Sequence, residues 1–261
     1  MIKSIQFKSF PDNHYPYLPI FKQTEEMDFS HPITIFVGDN GSGKSTLLKA
    51  IASCSQSINV SSQPHDFAIN QLAERISCTY DVQSKKGFFF SGEAFITYIH
   101  QLKKTKQELE RDLERIEVEY RDKSAFARSQ ARMAPMGQLM QMNQMYHGEL
   151  DKQSHGEGFL SFFKSRMHQK GLYLLDEPET PLSAINQYQL VVLISDLVKH
   201  GSQVILATHS PILMALEGAF IYSFDDEKIT PIDYNEIDSV RFMKDFLNHK
   251  DIYLERLKER E

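Results

Sequence analysis

The segment Gly38-Asp39-Asn40-Gly41-Ser42-Gly43-Lys44-Ser45-Thr46 constrains this chain more than any other, because it fits the pattern G-x-x-x-x-G-K-[ST]. Its composition follows from what phosphate recognition requires. Glycines turn the backbone tightly and present bare N–H groups to phosphate oxygens. A helix opening at Gly43-Lys44 adds the positive end of its dipole. Lys44 reaches the β- and γ-phosphates, and the Ser45 hydroxyl is a ligand for Mg²⁺. The motif also demands a strand before it and a helix after it. Residues 33–37 (Ile-Thr-Ile-Phe-Val) are a short β-branched and aromatic run stopped by Gly38, the signature of a buried strand. From Thr46 to Ser53, Leu47, Leu48, Ala50 and Ile51 stand at helical spacing. All nine residues from Gly38 to Thr46 are therefore expected to cradle a nucleoside triphosphate with its Mg²⁺.

Two later apolar runs, Leu172 to Leu175 and Val204 to Ala207, flank a helical pattern of Leu182, Ile185, Leu190, Leu193, Ile194 and Leu197 that Gly201 ends. Strand, helix and strand in that order imply parallel pairing with a covering helix, so the class is α/β. Phe88-Phe89-Phe90 is a further buried strand with a helix start at Ser91-Gly92-Glu93, and Ile2 to Phe10 alternates like a half-exposed strand. The run at 172–175 ends in Asp176-Glu177-Pro178. Successive side chains on a strand point to opposite faces. Asp176 is thus expected to hold Mg²⁺ through water while Glu177 faces the attacking water as general base. Thr208-His209-Ser210-Pro211 puts a histidine at the end of the next strand, where it can bond the γ-phosphate and orient water.

Composition narrows the setting. With 29 basic and 35 acidic side chains the net charge is −6, which weighs against nucleic-acid binding through bulk charge and leaves room for a local basic groove. Cys54 and Cys78 lie far apart in sequence, so no disulfide framework and a reducing, cytoplasmic setting are expected. No apolar run approaches the ~20 residues that span a bilayer, and Met1-Ile2-Lys3-Ser4 does not lead into a signal peptide. Residues 101–153 stand apart. Leu102, Leu109, Leu113, Ile116 and Tyr120 keep a broken helical spacing, and Lys103 to Lys123 holds seven basic and seven acidic residues. Glu117–Arg121 and Glu119–Lys123 stand in the favourable i,i+4 order. The segment reads as a solvated helix, or as a surface for nucleic acid or a partner. Met133, Met136, Met140, Met142 and Met145 follow, either on a second helix packing back on the first or as a plastic contact surface.

Together, the P-loop, Asp176-Glu177-Pro178-Glu179 and Thr208-His209-Ser210-Pro211 resemble the ATP-binding-cassette (ABC) class of P-loop ATPases, over most of the chain outside 101–153. The acidic and histidine motifs resemble the SMC, RecF and OLD-like branches more than transporter subunits, which usually carry Thr where Glu179 stands. The short, stand-alone predicted ATPases of bacteria share Ser-His-Gly-Glu-Gly-Phe, Gly-Ser-Gln-x-Ile-x-Ala-Thr-His-Ser-Pro and a tail like Asp245-Phe246-Leu247-Asn248. The resemblance implies a P-loop NTPase fold of the ABC type, with a mostly parallel core sheet, an antiparallel β subdomain and a helical insertion. It divides a single domain, 1–261, into a core (1–100 and 154–235), the insertion (101–153) and a helical tail (236–261).

By the same resemblance, Ser154-His155-Gly156-Glu157-Gly158 is the signature motif. Ser154 and Gly156 would then cap the γ-phosphate held by the other subunit, with two ATP molecules sandwiched in a head-to-tail homodimer. The local chemistry agrees, since a serine and glycines open a helix carrying Phe159, Leu160, Phe162, Phe163 and Met167. His155 and Glu157 depart from the usual glycine and glutamine, and Ser183 stands where the D-loop should end in Asp. The γ-phosphate and metal sensor corresponds to Gln83 or Glu93. Glu93, just after a strand, is the third expected metal contact beside Ser45 and Asp176, or else caps its helix. Phe7, Phe10 and Tyr15 are the candidates to stack on adenine. Asp225, Asp226 and Asp233 read as turn residues. The implied function is Mg²⁺-dependent ATP hydrolysis by Lys44, Glu177 and His209, driving a conformational change in a protein partner or nucleic-acid complex, as in DNA repair or phage defence. The competing readings are a membrane transporter's ATPase subunit and an ATP-gated scaffold with little turnover.

Overall fold

The computed structural model describes residues 1–11, 15–59, 67–81, 86–145, 155–167 and 170–258. In chain order the elements are β1 (Ile2–Phe7), α1 (Pro19–Gln23), β2 (Glu26–Asp28), β3 (Ile33–Val37), α2 (Lys44–Cys54), β4 (Ile58–Asn59), α3 (Phe67–Glu74), β5 (Ile76–Tyr80), β6 (Gly87–Ser91), α4 (Gly92–Glu119) and α5 (Ala125–Met145). They continue with α6 (His155–Arg166), β7 (Leu172–Asp176), α7 (Ala184–Lys199), β8 (Gln203–Ala207), α8 (Pro211–Met214), β9 (Phe220–Ser223), β10 (Thr230–Pro231), α9 (Asp238–Asn248) and α10 (Lys250–Lys258).

Strands that are apolar on both faces require cover on both faces, and β3, β7 and β8 are buried along their whole length. They form the centre of a seven-stranded sheet ordered β10-β9-β3-β8-β7-β6-β4. All its pairings are parallel except that of β10 with β9. The two-residue period sorts side chains to opposite faces. Phe36, Leu174 and Ile205 join α2 and the strands β1 and β5 in one core cluster. Ile35, Leu175 and Leu206 join α6, α7 and α8 in the other. The antiparallel subdomain expected from the family resemblance is the sheet β2-β1-β5. A buried amide fastens it to the central sheet: Gln203 Oε1 accepts from Ile2 N at 2.8 Å, and Nε2 donates to the carbonyls of Ile2 and Phe29 at 2.8 Å each.

The helix expected around Phe159 to Met167 is α6, with Phe159, Leu160 and Phe163 buried on it and Met167 buried just past its end. Its rings interlock with those of β6 and α4. Phe90 lies 5.0 Å from Phe159 and 4.9 Å from Phe163, and Phe95 lies 5.0 Å from Phe159.

The segment 101–153 has no boundary of its own at its start, because α4 runs unbroken from Gly92 on β6's end to Glu119. Arg128 closes the following turn by donating to the carbonyls of Tyr120 and Arg121, and α5 folds back on α4. The expected i,i+4 pairs do not form. The helix ends before Arg121 and Lys123, and Glu117 instead meets Arg132 of α5 at 2.7 Å. The methionines do not all turn inward: Met133 is 69% and Met140 62% exposed. The last two helices, α9 and α10, share an aromatic contact of Phe242 and Phe246 with Tyr253. Among the described residues no helix is long and apolar enough to cross a membrane.

Phe163 is fully buried at the junction of α6 with β6. Phe163→Ala is expected to cost about 3–5 kcal/mol, read as a lower urea midpoint by circular dichroism.

Candidate functional site

Parallel register brings the carboxyl ends of five strands to one edge, where open α/β sheets bind ligands. Phe36 and Asp176 both pair with Ala207, Asp176 also pairs with Ser91, and Val37 pairs with Ser223. The P-loop leaves β3 at this edge and enters α2 at Lys44. Its last glycine, Gly43, has φ 105° and so lies in the left-handed region, which side chains disfavour. Lys44 is buried and folds over the loop, donating from Nζ to the carbonyls of Gly38 (2.8 Å) and Asp39 (2.7 Å). Burial holds its pKa below the ordinary lysine value, against the opposing pull of Glu177, Asp225, Asp176 and Asp39. Those carbonyl contacts are what phosphate oxygens would displace.

Asp176 closes β7 as expected, and its Oδ1 accepts from Ser45 Oγ at 2.6 Å. Burial lifts the Asp176 carboxyl to about 6, although the Ser45 hydrogen bond and Lys49 pull the other way. This hydroxyl and carboxylate are a fitting donor pair for Mg²⁺, which takes one or two protein oxygens and completes its shell from phosphate and water. Among the described residues, no three His, Cys, Asp or Glu side chains stand close enough to hold an ion by themselves.

Glu177 departs from simple strand alternation. Its φ is +46°, a left-handed conformation that a residue with a side chain adopts only under constraint. Its N–H donates to the Ala207 carbonyl at 2.9 Å, and its own carbonyl accepts from the Thr180 hydroxyl at 3.0 Å. That carbonyl packs on Gly92, where any Cβ would overlap it. The turn leaves the Glu177 carboxylate 3.8 Å from His209 Nε2, and both side chains are about two-fifths exposed.

His209 is placed by a residue whose task the sequence did not reveal. Glu179 Oε1 accepts from Thr208 Oγ1 and from the His209 N–H, each at 2.7 Å. Burial raises the Glu179 carboxyl above its ordinary value against those hydrogen bonds, and Oε2 is buried with no hydrogen-bond partner among the described residues. Ser210 completes the latch, bonding Gln187 Oε1 of α7 at 2.7 Å.

Asp225 corrects the turn-residue reading. Its Oδ1 accepts from the Asp39 N–H at 2.7 Å, making it a wall of the P-loop. A signal was available in the mostly apolar stretch 220–224, which ends in the paired acids Asp225 and Asp226 as 172–175 ends in Asp176 and Glu177. Asp233 does serve a turn, accepting from Asn235 N. Glu93 stands exposed in the first turn of α4, two residues past the strand partner of Asp176, outside any carboxylate cluster. Ser183 caps α7 by accepting from Asn186 N. Phe7 stacks on Phe21 and Phe10 tilts against Tyr17, while Tyr15 is half exposed. Gly156 lies in the first turn of α6; Ser154 and Gln83 lie outside the described residues.

Two measurements test this geometry. Asp176 has its pKa raised on folding, so its contribution to stability is full below about pH 3.8 and is lost as pH rises through about 6. In EDTA, the wild type should therefore lose up to about 3 kcal/mol relative to Asp176→Asn between pH 4 and 7, measured by chemical denaturation. Gly92→Ala should destabilise the fold by about 1–3 kcal/mol, seen as a lower melting temperature, because the added methyl displaces the Glu177 carbonyl.

The family described as the AAA domain matches residues 6–155, more than half of the chain. No match is found among curated proteins. Among solved structures, the chain is similar to the SMC head domain from Thermotoga maritima at 15% identity, over 89% of this chain and 99% of that one, with TM-score 0.41. It is similar to the Smc head domain derived from Pyrococcus furiosus, bound to the C-terminal domain of ScpA, at 12% identity, over 94% and 99%, with TM-score 0.45. Clostridium perfringens cbiO1, part of the ABC transporter complex cbiONQ, is similar at 14% identity, over 95% and 96%, with TM-score 0.38. The family match spans the P-loop and the strand β6 that flanks Asp176. On that match, this chain belongs to the AAA domain family of P-loop ATPases.

Proposed function

We propose that this protein hydrolyses ATP with Mg²⁺ by an ABC-type route, pairing head to tail with a second copy while ATP is bound and passing the change in shape to a partner. The observation that carries the reading is the Ser45–Asp176 contact at the mouth of the P-loop, with Glu177 turned away from it toward His209. Asp176 and Ser45 would hold Mg²⁺, which when bound offsets the negative charge gathering between the β- and γ-phosphates. Lys44 exchanges its loop carbonyls for those phosphates. Glu177 takes the proton of the attacking water, and His209, held through its backbone by Glu179, bonds the γ-phosphate. Glu93, at the start of α4, would follow the nucleotide from the neighbouring strand end. The trans contact is assigned to Ser154 and Gly156 by the resemblance of their motif, supported by the position of Gly156 in the first turn of α6.

The output route is α4, because it begins against the Glu177 carbonyl and continues unbroken into the α4–α5 arm. A protein or nucleic-acid client on that arm, in repair or phage defence, fits the reading. Glu179 bridging Thr208 and His209 supports the SMC- and RecF-like branch over a transporter subunit. Glu177→Gln should lower phosphate release by about 10²–10⁴-fold and accumulate an ATP-bound dimer in light scattering. An unchanged rate would remove Glu177 from catalysis, and negligible wild-type turnover would favour the scaffold. Repeating the assay with DNA, RNA and membrane partners identifies the client by which of them accelerates it.

A further inference from the structure

The two cysteines, 24 positions apart in sequence, meet in the fold. Cys54 is the last residue of α2, and Cys78 lies in the middle of β5, opposite Ile5 of β1. Their Sγ atoms are 2.7 Å apart. Both side chains are partly exposed, so a small reagent can reach them. The surroundings divide their reactivity. The hydrogen bond from Cys78 holds the Cys54 thiol below its ordinary value, with Lys8 adding to the effect, whereas that same bond and burial push Cys78 upward. Cys54, which accepts the hydrogen bond and has the Lys8 cation acting on it, is thus assigned as the sulfur that reacts first and Cys78 as the resolving thiol. Burial, with the two thiols beside it, raises the Tyr80 hydroxyl above its ordinary value.

We propose that Cys54 and Cys78 are a redox modification site: a reversible disulfide that staples the carboxyl end of the P-loop helix to the antiparallel sheet, closed by exchange with a low-molecular-weight disulfide. The Cys54 thiolate attacks one sulfur of the small disulfide, forming a mixed disulfide and releasing one thiolate. Cys78 then attacks Cys54 Sγ, the mixed disulfide breaks, and a second thiolate leaves. The protein is oxidised by two electrons, the reagent is reduced to two thiols, and the two cysteine protons pass to the departing thiolates. No helix or strand has to move, because the sulfurs are already in contact. The bond closes a loop containing β4 and α3 and ties β5 to the helix whose other end carries Lys44 and Ser45. It therefore adds a covalent link within the nucleotide-binding unit, independently of whether ATP is hydrolysed.

The test is titration of the full chain with oxidised and reduced glutathione, followed by non-reducing peptide mass spectrometry and melting. The expected product is one intramolecular Cys54–Cys78 peptide pair, reversed by dithiothreitol. Closing a loop of this length should raise the melting temperature by about 5–10 °C over the reduced protein. Cys78→Ser should stop at the glutathione adduct on Cys54, and Cys54→Ser should react slowly. The proposal fails if the wild type retains two free thiols, accumulates a stable glutathione adduct, cross-links between molecules, or melts no higher when oxidised. The decisive product is read on the wild type, so the test stands even if a variant does not fold.

Discussion

The site depends on the register of the parallel strands. Ser45 rides on the helix that follows β3, while Asp176 ends β7, with β8 between the two strands. Their 2.6 Å contact requires Phe36, Ala207 and Asp176 to lie abreast. A slip of one residue would exchange the two faces of a strand. Here it would drive Phe36 out of the cluster under α2 and carry Asp176 past Ser45. Two independent cores, one on each face, oppose that slip. The buried Gln203 amide, bridging Ile2 and Phe29, fixes the opposite end of β8.

Burial, rather than pairwise attraction, sets the charge state of this edge. Lys44 has four carboxylates influencing it, yet desolvation still lowers its pKa. Asp176 has a hydrogen bond and a nearby lysine, yet desolvation still raises its pKa to about 6. Each ion is costly to hold in place without its ligand, and each has found neutral partners in backbone carbonyls or a hydroxyl. In the proposed reading, polyphosphate would replace the carbonyls at Lys44, and a divalent cation would supply the positive charge that Asp176 lacks. Taken singly, each would add unbalanced charge to a poorly solvated edge. On that reading, nucleotide and metal would arrive together.

What the sequence revealed, it revealed through local runs. The P-loop, Asp176 and His209 each follow four or five apolar residues and end them with glycine, acid or a Thr-His pair, so strand ends and polar groups could be read together. Relations between distant segments were not visible. Gly92 looks like a helix start, but its lack of a side chain matters to a carbonyl 85 positions later in the chain. Asp225 reads as a turn until β9 brings it to Asp39. The alternation of residues 2–10 indicates a strand but not its two partners, β2 and the polar stretch around Cys78. The i,i+4 charge pattern of 117–123 requires one continuous helix, but the helix stops at Glu119 and Glu117 meets Arg132 across the hairpin.

The left-handed turn at Glu177 explains how two adjacent acids can have separate tasks. In a continuing strand, Glu177 would point to the face opposite Asp176, into apolar packing. At φ +46° it instead leaves the strand and turns outward toward His209. Such a conformation costs on the order of 1–3 kcal/mol, and the surroundings over-determine it. The Ala207 carbonyl holds the N–H, the Thr180 hydroxyl holds the carbonyl, and only a glycine at position 92 leaves room for that carbonyl. The same contact makes the start of α4 a part of the site. A displacement of Glu177 toward a bound phosphate would move its carbonyl against Gly92, and α4 is a single unbroken helix from that point to Glu119. The strained residue therefore joins the proposed chemistry at the sheet edge to the arm that projects from it.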